Sequence, residues 1–157
     1  MSKAKKQKRF RYTLESLLKV RVIREKQQKD VLAKAEQAYQ AELQKEKELQ
    51  DQLTATYTAL DELFKEGLMD QLNKVELLKH HVTVLKEKIT EQEKVRREAE
   101  KKRDDEQEKL IKLAKERKII EKDKDKTRDK WKRIMDKEDT KFMDEIASVR
   151  FFRQQQK

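Results

Sequence analysis

The chain has 157 residues, of which 47% are charged and 34% hydrophobic, and its formal net charge is +10. Apolar residues this sparse can line a narrow contact between helices but cannot fill a globular core, so an enclosed catalytic pocket is not expected. The absence of cysteine excludes disulfides and thiolate metal sites.

The whole sequence is rich in helix-forming residues and poor in residues that stop a helix. It contains no proline and a single glycine, Gly67. Proline costs a helix interior about 3 kcal/mol and glycine about 1 kcal/mol, and both normally mark the turns of a globular domain. We therefore predict an all-α protein, as one domain over residues 1–157, whose only turn lies near Gly67.

The first predicted segment is a basic, flexible arm over residues 1–12, with no acidic residue before Glu15. Its cations favour an anionic partner, which could be an acidic protein, a membrane surface or a nucleic acid. The arm leads into an amphipathic pattern and not into an uninterrupted apolar run, so no signal peptide is expected. The basic residues are Lys3, Lys5, Lys6, Lys8, Arg9 and Arg11.

The second segment is predicted to be a helix over residues 13–65, followed by a turn at 66–70. Its apolar residues recur at alternating steps of three and four, which is the heptad pattern of a coiled coil. Polar residues occupy the seam at Arg21, Glu25, Gln28, Glu42 and Glu46. The other seam positions are Leu14, Leu18, Leu32, Ala35, Tyr39, Leu49, Leu53, Thr56, Leu60 and Leu63.

The third segment is predicted to be a longer helix over residues 71–152 with a matching seam. Four polar residues interrupt it, namely Gln92, Arg96, Arg103 and Glu106. Two seams and one short turn predict a long antiparallel two-helix coiled-coil hairpin. The remaining seam positions are Val75, Leu78, Val82, Leu85, Ile89, Ala99, Leu110, Leu113, Ile120, Trp131 and Ile134.

The two predicted helices differ in length, and the excess of the second is apolar. Pairing outward from the turn places Leu14 near Glu121, so residues 124–152 would extend roughly 40 Å past the first helix at 1.5 Å per residue. The apolar register also shifts there by one four-residue step. This stripe indicates a partner-binding surface, unless residues 10–23 fold back over it. It contains Trp131, Ile134, Met135, Phe142, Met143, Ile146, Val149, Phe151 and Phe152.

Several candidate sites for chemistry do not fit their patterns. His80 and His81 are adjacent and diverge by about 100° around a helix, so they cannot share a metal ion. The alternating acids Asp123 and Asp125 lack the glycine and the terminal glutamate of a calcium loop. One glycine cannot make a phosphate-binding loop. We therefore expect no enzyme, no metal, no cofactor and no small-molecule substrate.

The positive charge also raises a nucleic-acid hypothesis. The aromatic residues lie mainly on the helix seams and are not interleaved with the basic arm as stacking platforms. The arm is not continuous with a parallel zipper, which a basic-zipper factor requires. These features disfavour nucleic acid, and a basic coiled-coil nucleic-acid-binding protein stays the alternative from a different functional class.

The two ends of the chain resemble the flagellar type III export protein family FliJ. Residues 10–21 read Phe-Arg-Tyr-Thr-Leu-Glu-Ser-Leu-Leu-Lys-Val-Arg. This is similar to the family's opening pattern of aromatic, basic, aromatic, x, Leu, x, x, Leu, Leu, x, x, Arg. Near the other end, Leu110–Leu113, Glu116–Lys118, Trp131 and Lys141–Ala147 resemble the family's Leu-rich turn, basic stretch, aromatic residue and terminal Asp-Glu-Ile-Ala.

The resemblance implies a cytoplasmic component of the flagellar export apparatus, peripherally associated with the inner membrane at the flagellar base. Members of the family look like the central stalk of rotary ATPases. The implied partners are the hexameric flagellar export ATPase, the cytoplasmic domain of the export gate and export chaperones. The stalk protein of a virulence-type III secretion system is the alternative within the class, and the Asp144-Glu145 ending favours the flagellar version.

Two sets of residues are candidates for binding partners: the resemblance implies the set for the export gate, and the apolar stripe indicates the set for the ATPase ring. The gate-contacting patch falls on His81, Leu85 and Gln92, with Ile89 beside them, although the family tends to have Phe or Tyr where His81 stands. Leu85 and Ile89 are also seam residues, so contacts within the chain remain an alternative for them. The residues assigned to the ATPase ring are Phe10, Leu14, Leu17, Trp131, Met135, Phe142, Ile146 and Val149.

Overall fold

The computed structural model describes residues 8–67 and 71–156 and is built from two long helices packed against each other. Helix α1 spans Glu15–Glu66, and helix α2 spans Leu72–Gln155. The described ranges contain no strand, which confirms the all-α, helical-hairpin prediction. Most of the basic arm (residues 1–7) and most of the predicted turn (68–70) lie outside the described residues.

The observed ends of the helices differ slightly from the ends predicted from the seam pattern. The predicted first helix began at residue 13, but residues 13 and 14 form a turn and α1 begins at Glu15. The Glu15 backbone N–H donates to the Tyr12 carbonyl at 3.2 Å, which closes that turn. An acidic residue in the first turn and Lys65 in the last turn of α1 both complement the helix dipole. Helix α2 continues three residues past the predicted end at 152.

Gly67 follows the last residue of α1 directly and has a φ of +99°. L-residues with a side chain avoid positive φ because Cβ collides with the backbone, whereas glycine adopts it readily. Glycine is for this reason the usual residue just after a helix C-terminus. The only glycine of the chain therefore ends α1, as its position in the sequence predicted.

The chain divides into two compact units, which we call the middle unit and the terminal unit. The middle unit comprises residues 26–111. Its apolar core lies close in sequence to Gly67 and is formed by Leu60, Val75 and Val82. Leu53, Leu63 and Leu78 pack against this core, and Leu85 is the most completely buried large side chain, at 1% exposure.

The terminal unit comprises the described parts of residues 1–25 and 112–157. Here α1 and α2 pair antiparallel, because Glu15 contacts Lys124 whereas Arg21, farther along α1, contacts the earlier Glu116. Tyr12 and Leu18 are its buried hydrophobic residues. Its apolar core is therefore small, and most of its apolar side chains remain on the surface.

The positive φ of Gly67 predicts the effect of substituting it. Gly67→Ala should lower the free energy of unfolding by about 1 kcal/mol, because an alanine side chain makes the backbone unfavourable at positive φ. No atom lies within 4 Å of the position that a Cβ would occupy, so the cost is conformational and not steric. Gly67→Asn is the matched control and should cost less, because asparagine tolerates positive φ. Urea unfolding followed by circular dichroism measures both, and equal stability of the two variants would contradict the explanation.

Candidate partner-binding surfaces

The polar residues that interrupt the two seams face each other in the middle unit. The Gln28 amide of α1 donates to the Glu106 backbone carbonyl at 3.0 Å and to its carboxylate at 2.5 Å. The Gln92 amide of α2 donates in the same way to the Glu42 carbonyl at 3.0 Å and carboxylate at 2.6 Å. Gln28 and Glu42 lie two heptads apart on α1, as do Glu106 and Gln92 on α2. We call these two contacts the Gln–Glu pairs.

Arginines occupy a second set of seam positions and also find partners across the helices. In the middle unit, Arg96 pairs with Glu46 at 2.6 Å. The Arg103 guanidinium lies 4.3 Å from the ring centroid of Tyr39 and 3.6 Å from the nearest carboxylate oxygen of Glu36.

The terminal unit repeats this use of arginine. Arg117 donates to Glu25, which is only 7% exposed, and also to Glu121 at 2.7 Å. Arg21 pairs with Glu116 at 2.5 Å. The polar seam positions are thus occupied by complementary groups, so they specify which residues of α1 and α2 stand opposite each other within each unit.

The amide donors of the Gln–Glu pairs stabilise the ionised carboxylates. The hydrogen bond from Gln92 holds the pKa of Glu42 below its usual value of 4.5. The hydrogen bond from Gln28, followed by that from Lys109, lowers the pKa of Glu106 in the same way. Partial burial opposes both shifts but is the smaller effect.

The four residues assigned to the export gate do not share one exposed surface. Leu85 is buried in the middle unit, Ile89 is half-buried, and Gln92 is bonded to Glu42. Only His81 is exposed. For Leu85, therefore, the structure favours the alternative of a contact within the chain, because a residue at 1% exposure has no surface to offer a partner.

Other residues beside His81 do reach the surface. Leu77 and Val84 lie one turn before and about one turn after His81, so they share its face of α2. Leu77 is 68% exposed and Val84 is half-buried. Val84 also lines a shallow cleft of about 500 Å³. These residues are not seam positions, which is why the heptad pattern did not single them out.

The residues assigned to the ATPase ring on the α1 side lie in the terminal unit. Leu14 is 42% exposed and Leu17 is 36% exposed. Sequence reasoning missed three exposed apolar neighbours, Val20, Val22 and Ile23. Leu17, Val20 and Ile23 are spaced at i, i+3 and i+6, which places them on adjoining parts of the helix surface. This second periodicity, offset from the seam, was the available signal.

Phe10 precedes α1 and packs on α2. Its ring centroid lies 5.7 Å from that of Trp131, with an interplanar angle of 54°, and the Arg128 guanidinium lies 5.6 Å from the Phe10 centroid. Tilted aromatic pairs at this separation are attractive. Trp131 is accordingly half-buried, so the segment before α1 covers the first residue of the predicted apolar stripe.

The rest of the stripe on α2 is more exposed. Met135 and Ile146 are half-buried, whereas Phe142 is 46% exposed and Val149 is 52% exposed. Three further large apolar side chains in this part of the helix are at least 59% exposed, namely Met143, Phe151 and Phe152. Contiguous exposed apolar surface of this kind marks an interaction site more often than a free surface.

A surface cleft of about 440 Å³ opens where the segment before α1 meets α2, and we call it the terminal cleft. It is lined by Phe10, Arg11, Tyr12, Glu15, Lys124 and Arg128. The Tyr12 hydroxyl donates to Asp123, and this hydrogen bond raises the pKa of Tyr12 to about 12. Lys124 pairs with Glu15 at 2.8 Å and lowers the pKa of that carboxylate.

Two other kinds of site are absent from the described residues. No cluster of three or more histidines and acids within them could hold a metal ion. No helix among them is long and apolar enough to cross a membrane.

Comparison with protein families resolves what kind of protein carries these surfaces. The model of the family described as "Flagellar FliJ protein" matches residues 10–156. The chain belongs to the FliJ family. No curated protein and no solved structure is similar enough to this chain to count as a match. Membership of the FliJ family makes the chain a coiled-coil protein of flagellar type III export.

The Gln–Glu pairs allow a direct test of how the helices are aligned. Gln28→Glu should lower the thermal unfolding midpoint by about a few degrees at pH 7, because it sets two carboxylates opposite each other. Adding Glu106→Gln should restore the midpoint, since the swapped pair then has the same arrangement as Glu42 and Gln92. The control is Gln27→Glu, an exposed neighbour, which should have little effect. Failure of the second substitution to restore stability would contradict the observed alignment.

The lowered pKa values of Glu42 and Glu106 also predict how stability depends on pH. The unfolded chain binds protons at these groups before the folded chain does, so their contribution is complete above about pH 4.5 and is lost as pH falls through the folded values. Urea unfolding between pH 3 and 7 should show this loss. The variant Glu42→Gln/Glu106→Gln should show a smaller pH dependence in the same window, and an unchanged dependence would contradict the assignment.

Proposed function

We propose that the chain is a non-enzymatic, central-stalk-like component of the flagellar export apparatus whose terminal unit binds the hexameric export ATPase and promotes its assembly. The observation that carries this proposal is the concentration of large exposed apolar side chains in the terminal unit. In this role the chain supplies binding surfaces and needs no cofactor. It would act in the cytoplasm, peripherally associated with the inner membrane at the flagellar base.

The energetics of the terminal unit favour a bound partner. Burying a Leu, Ile, Phe or Met side chain fully is worth roughly 1.5 to 3 kcal/mol before the costs of association are subtracted. Leu17, Val20 and Ile23 on α1 and Phe142 and Val149 on α2 are all at least 36% exposed. A partner that covered these side chains would gain several such contributions.

The methionine and aromatic side chains of the terminal unit suit a partner whose symmetry differs from that of a single chain. A ring of six subunits presents six equivalent surfaces to one stalk, so no single set of contacts can be optimal for all of them. Methionine and aromatic side chains adapt to different neighbours more readily than branched residues do. Met143, Phe151 and Phe152 supply such contacts on α2.

The middle unit is the part of the chain that we propose contacts the cytoplasmic domain of the export gate. Leu77, His81 and Val84 form the surface for this contact, because Leu85 of the original assignment is buried. Leu77→Asp should then weaken capture of the gate domain in a pull-down while leaving ATPase stimulation unchanged. Escort of export chaperones would be a further role of the same apparatus component.

The ATPase-binding role is tested by polar substitutions in the exposed stripe of α2. Phe142→Asp/Ile146→Asp should abolish stimulation of ring assembly and of ATP hydrolysis, because charged groups cannot be buried in an apolar contact. Deletion of residues 142–157 should do the same. Circular dichroism should show nearly unchanged helical content per residue in both variants.

A matched control separates the stripe from the helix that carries it. Lys141→Glu changes the net charge by the same two units at an exposed position that lies one turn from no stripe residue, and it should stimulate the ATPase normally. Full stimulation by Phe142→Asp/Ile146→Asp would contradict the proposal. Unfolding of that variant would show instead that the stripe is internal core.

A further inference from the structure

The terminal cleft contains more positive charge than its own acids neutralise. Three of its lining residues are cations, namely Arg11, Lys124 and Arg128, and one is an acid, Glu15. Lys124 pairs with Glu15. Asp123 accepts the hydrogen bond of the Tyr12 hydroxyl. The hydrogen bond from Lys124 lowers the pKa of Glu15, and the charge of Arg128 helps to lower it. Among the described residues, neither Arg11 nor Arg128 forms an ion pair.

Arg128 stands against an aromatic ring, and Arg11 lines the same cleft. Arg128 lies over the ring of Phe10, and Phe10 and Tyr12 both line the cleft. An arginine held in this way keeps its planar fork of N–H donors available for a carboxylate, which it can bind through two parallel hydrogen bonds. The aromatic rings meanwhile offer apolar surface to whatever carries that carboxylate.

We propose that the terminal cleft binds an acidic peptide segment of a partner protein, with carboxylates on Arg11 and Arg128 and a neighbouring apolar side chain against Phe10 and Tyr12. An acidic peptide is the occupant we choose because its negative charge complements the excess of positive charge in the cleft. The proposal rests on the proposed function in one respect, since it takes the export ATPase as the protein that carries the segment. The cleft would add a specific charged contact to the less directional apolar stripes.

The chain contains its own reporter for this cleft. Trp131 is the only tryptophan and packs against Phe10, which lines the cleft. Filling the cleft should therefore change the emission of Trp131. The first experiment titrates the full chain with a hexaglutamate peptide at 20 mM ionic strength and follows this emission, and it repeats the titration with inorganic triphosphate as the phosphate probe.

Variants assign the binding to the two arginines. Arg11→Gln/Arg128→Gln should weaken hexaglutamate binding at least about ten-fold, whereas the single variant Arg11→Gln, which leaves the Phe10 packing untouched, should weaken it about three-fold. The matched control Arg97→Gln/Arg133→Gln removes the same charge from exposed positions outside the cleft and should bind normally. Raising the salt to 0.2 M should weaken binding to the unsubstituted chain, because exposed charges are then screened.

The second experiment measures binding of the same variants to the export ATPase, with hexaglutamate as competitor. We expect Arg11→Gln/Arg128→Gln to bind about ten-fold more weakly than the control, and hexaglutamate to compete with the unsubstituted chain. Cleft variants that bind both hexaglutamate and the ATPase as the control does would overturn the cleft proposal. Tighter binding of triphosphate than of hexaglutamate at this cleft would also overturn it. If instead hexaglutamate binds at the cleft and the ATPase does not bind the chain, the proposed function fails and not the cleft.

Discussion

The structure depends on the requirement that polar groups placed between two helices find partners there. A carboxylate or amide removed from water without a hydrogen bond costs free energy that so sparse an apolar seam could not offset. The Gln–Glu pairs meet this requirement in the middle unit, and the hydrogen bond from Arg21 to Glu116 meets it in the terminal unit. Because each pair forms in one alignment of the helices, it also decides which apolar residues are buried and which are left for partners.

Much of the fold could be predicted from sequence, for identifiable reasons. The absence of proline and the position of Gly67 predicted two helices and one turn. Heptad spacing predicted most of the residues that lie between the helices, but the seam residues Leu14 and Ile134 are exposed. Heptad spacing identifies the face of a helix that packs against its partner. It does not identify which residue of the other helix lies opposite a given position. Gln28, Glu42, Gln92 and Glu106 were therefore predicted as interruptions of two separate seams, and only the structure shows that they pair.

The candidate sites were less predictable for the same physical reason. The seam residues are the ones most easily found from a pattern, and those at the centre of the seam are also buried, which is why Leu85 has no surface for a partner. Surface residues such as Leu77, Val20 and Ile23 lie off the heptad seams and were therefore missed. The sequence left open that residues 10–23 fold back over the stripe. The specific contact of Phe10 with Trp131 could not be predicted, because the segment before α1 is not helical and its path is set by tertiary contacts.

The polar seam residues also decide which helix α1 pairs with. They favour α2 of the same chain over α1 of a second molecule. If two α1 helices from different molecules paired in parallel and in register, Glu42 would stand opposite Glu42 and Glu46 opposite Glu46. Such like-charged contacts are unfavourable, whereas in the same chain Gln92 donates a hydrogen bond to Glu42 and Arg96 forms an ion pair with Glu46. The polar seam residues thus weaken the hydrophobic contact between the two helices. The same residues favour pairing of the helices within one chain over homodimerisation.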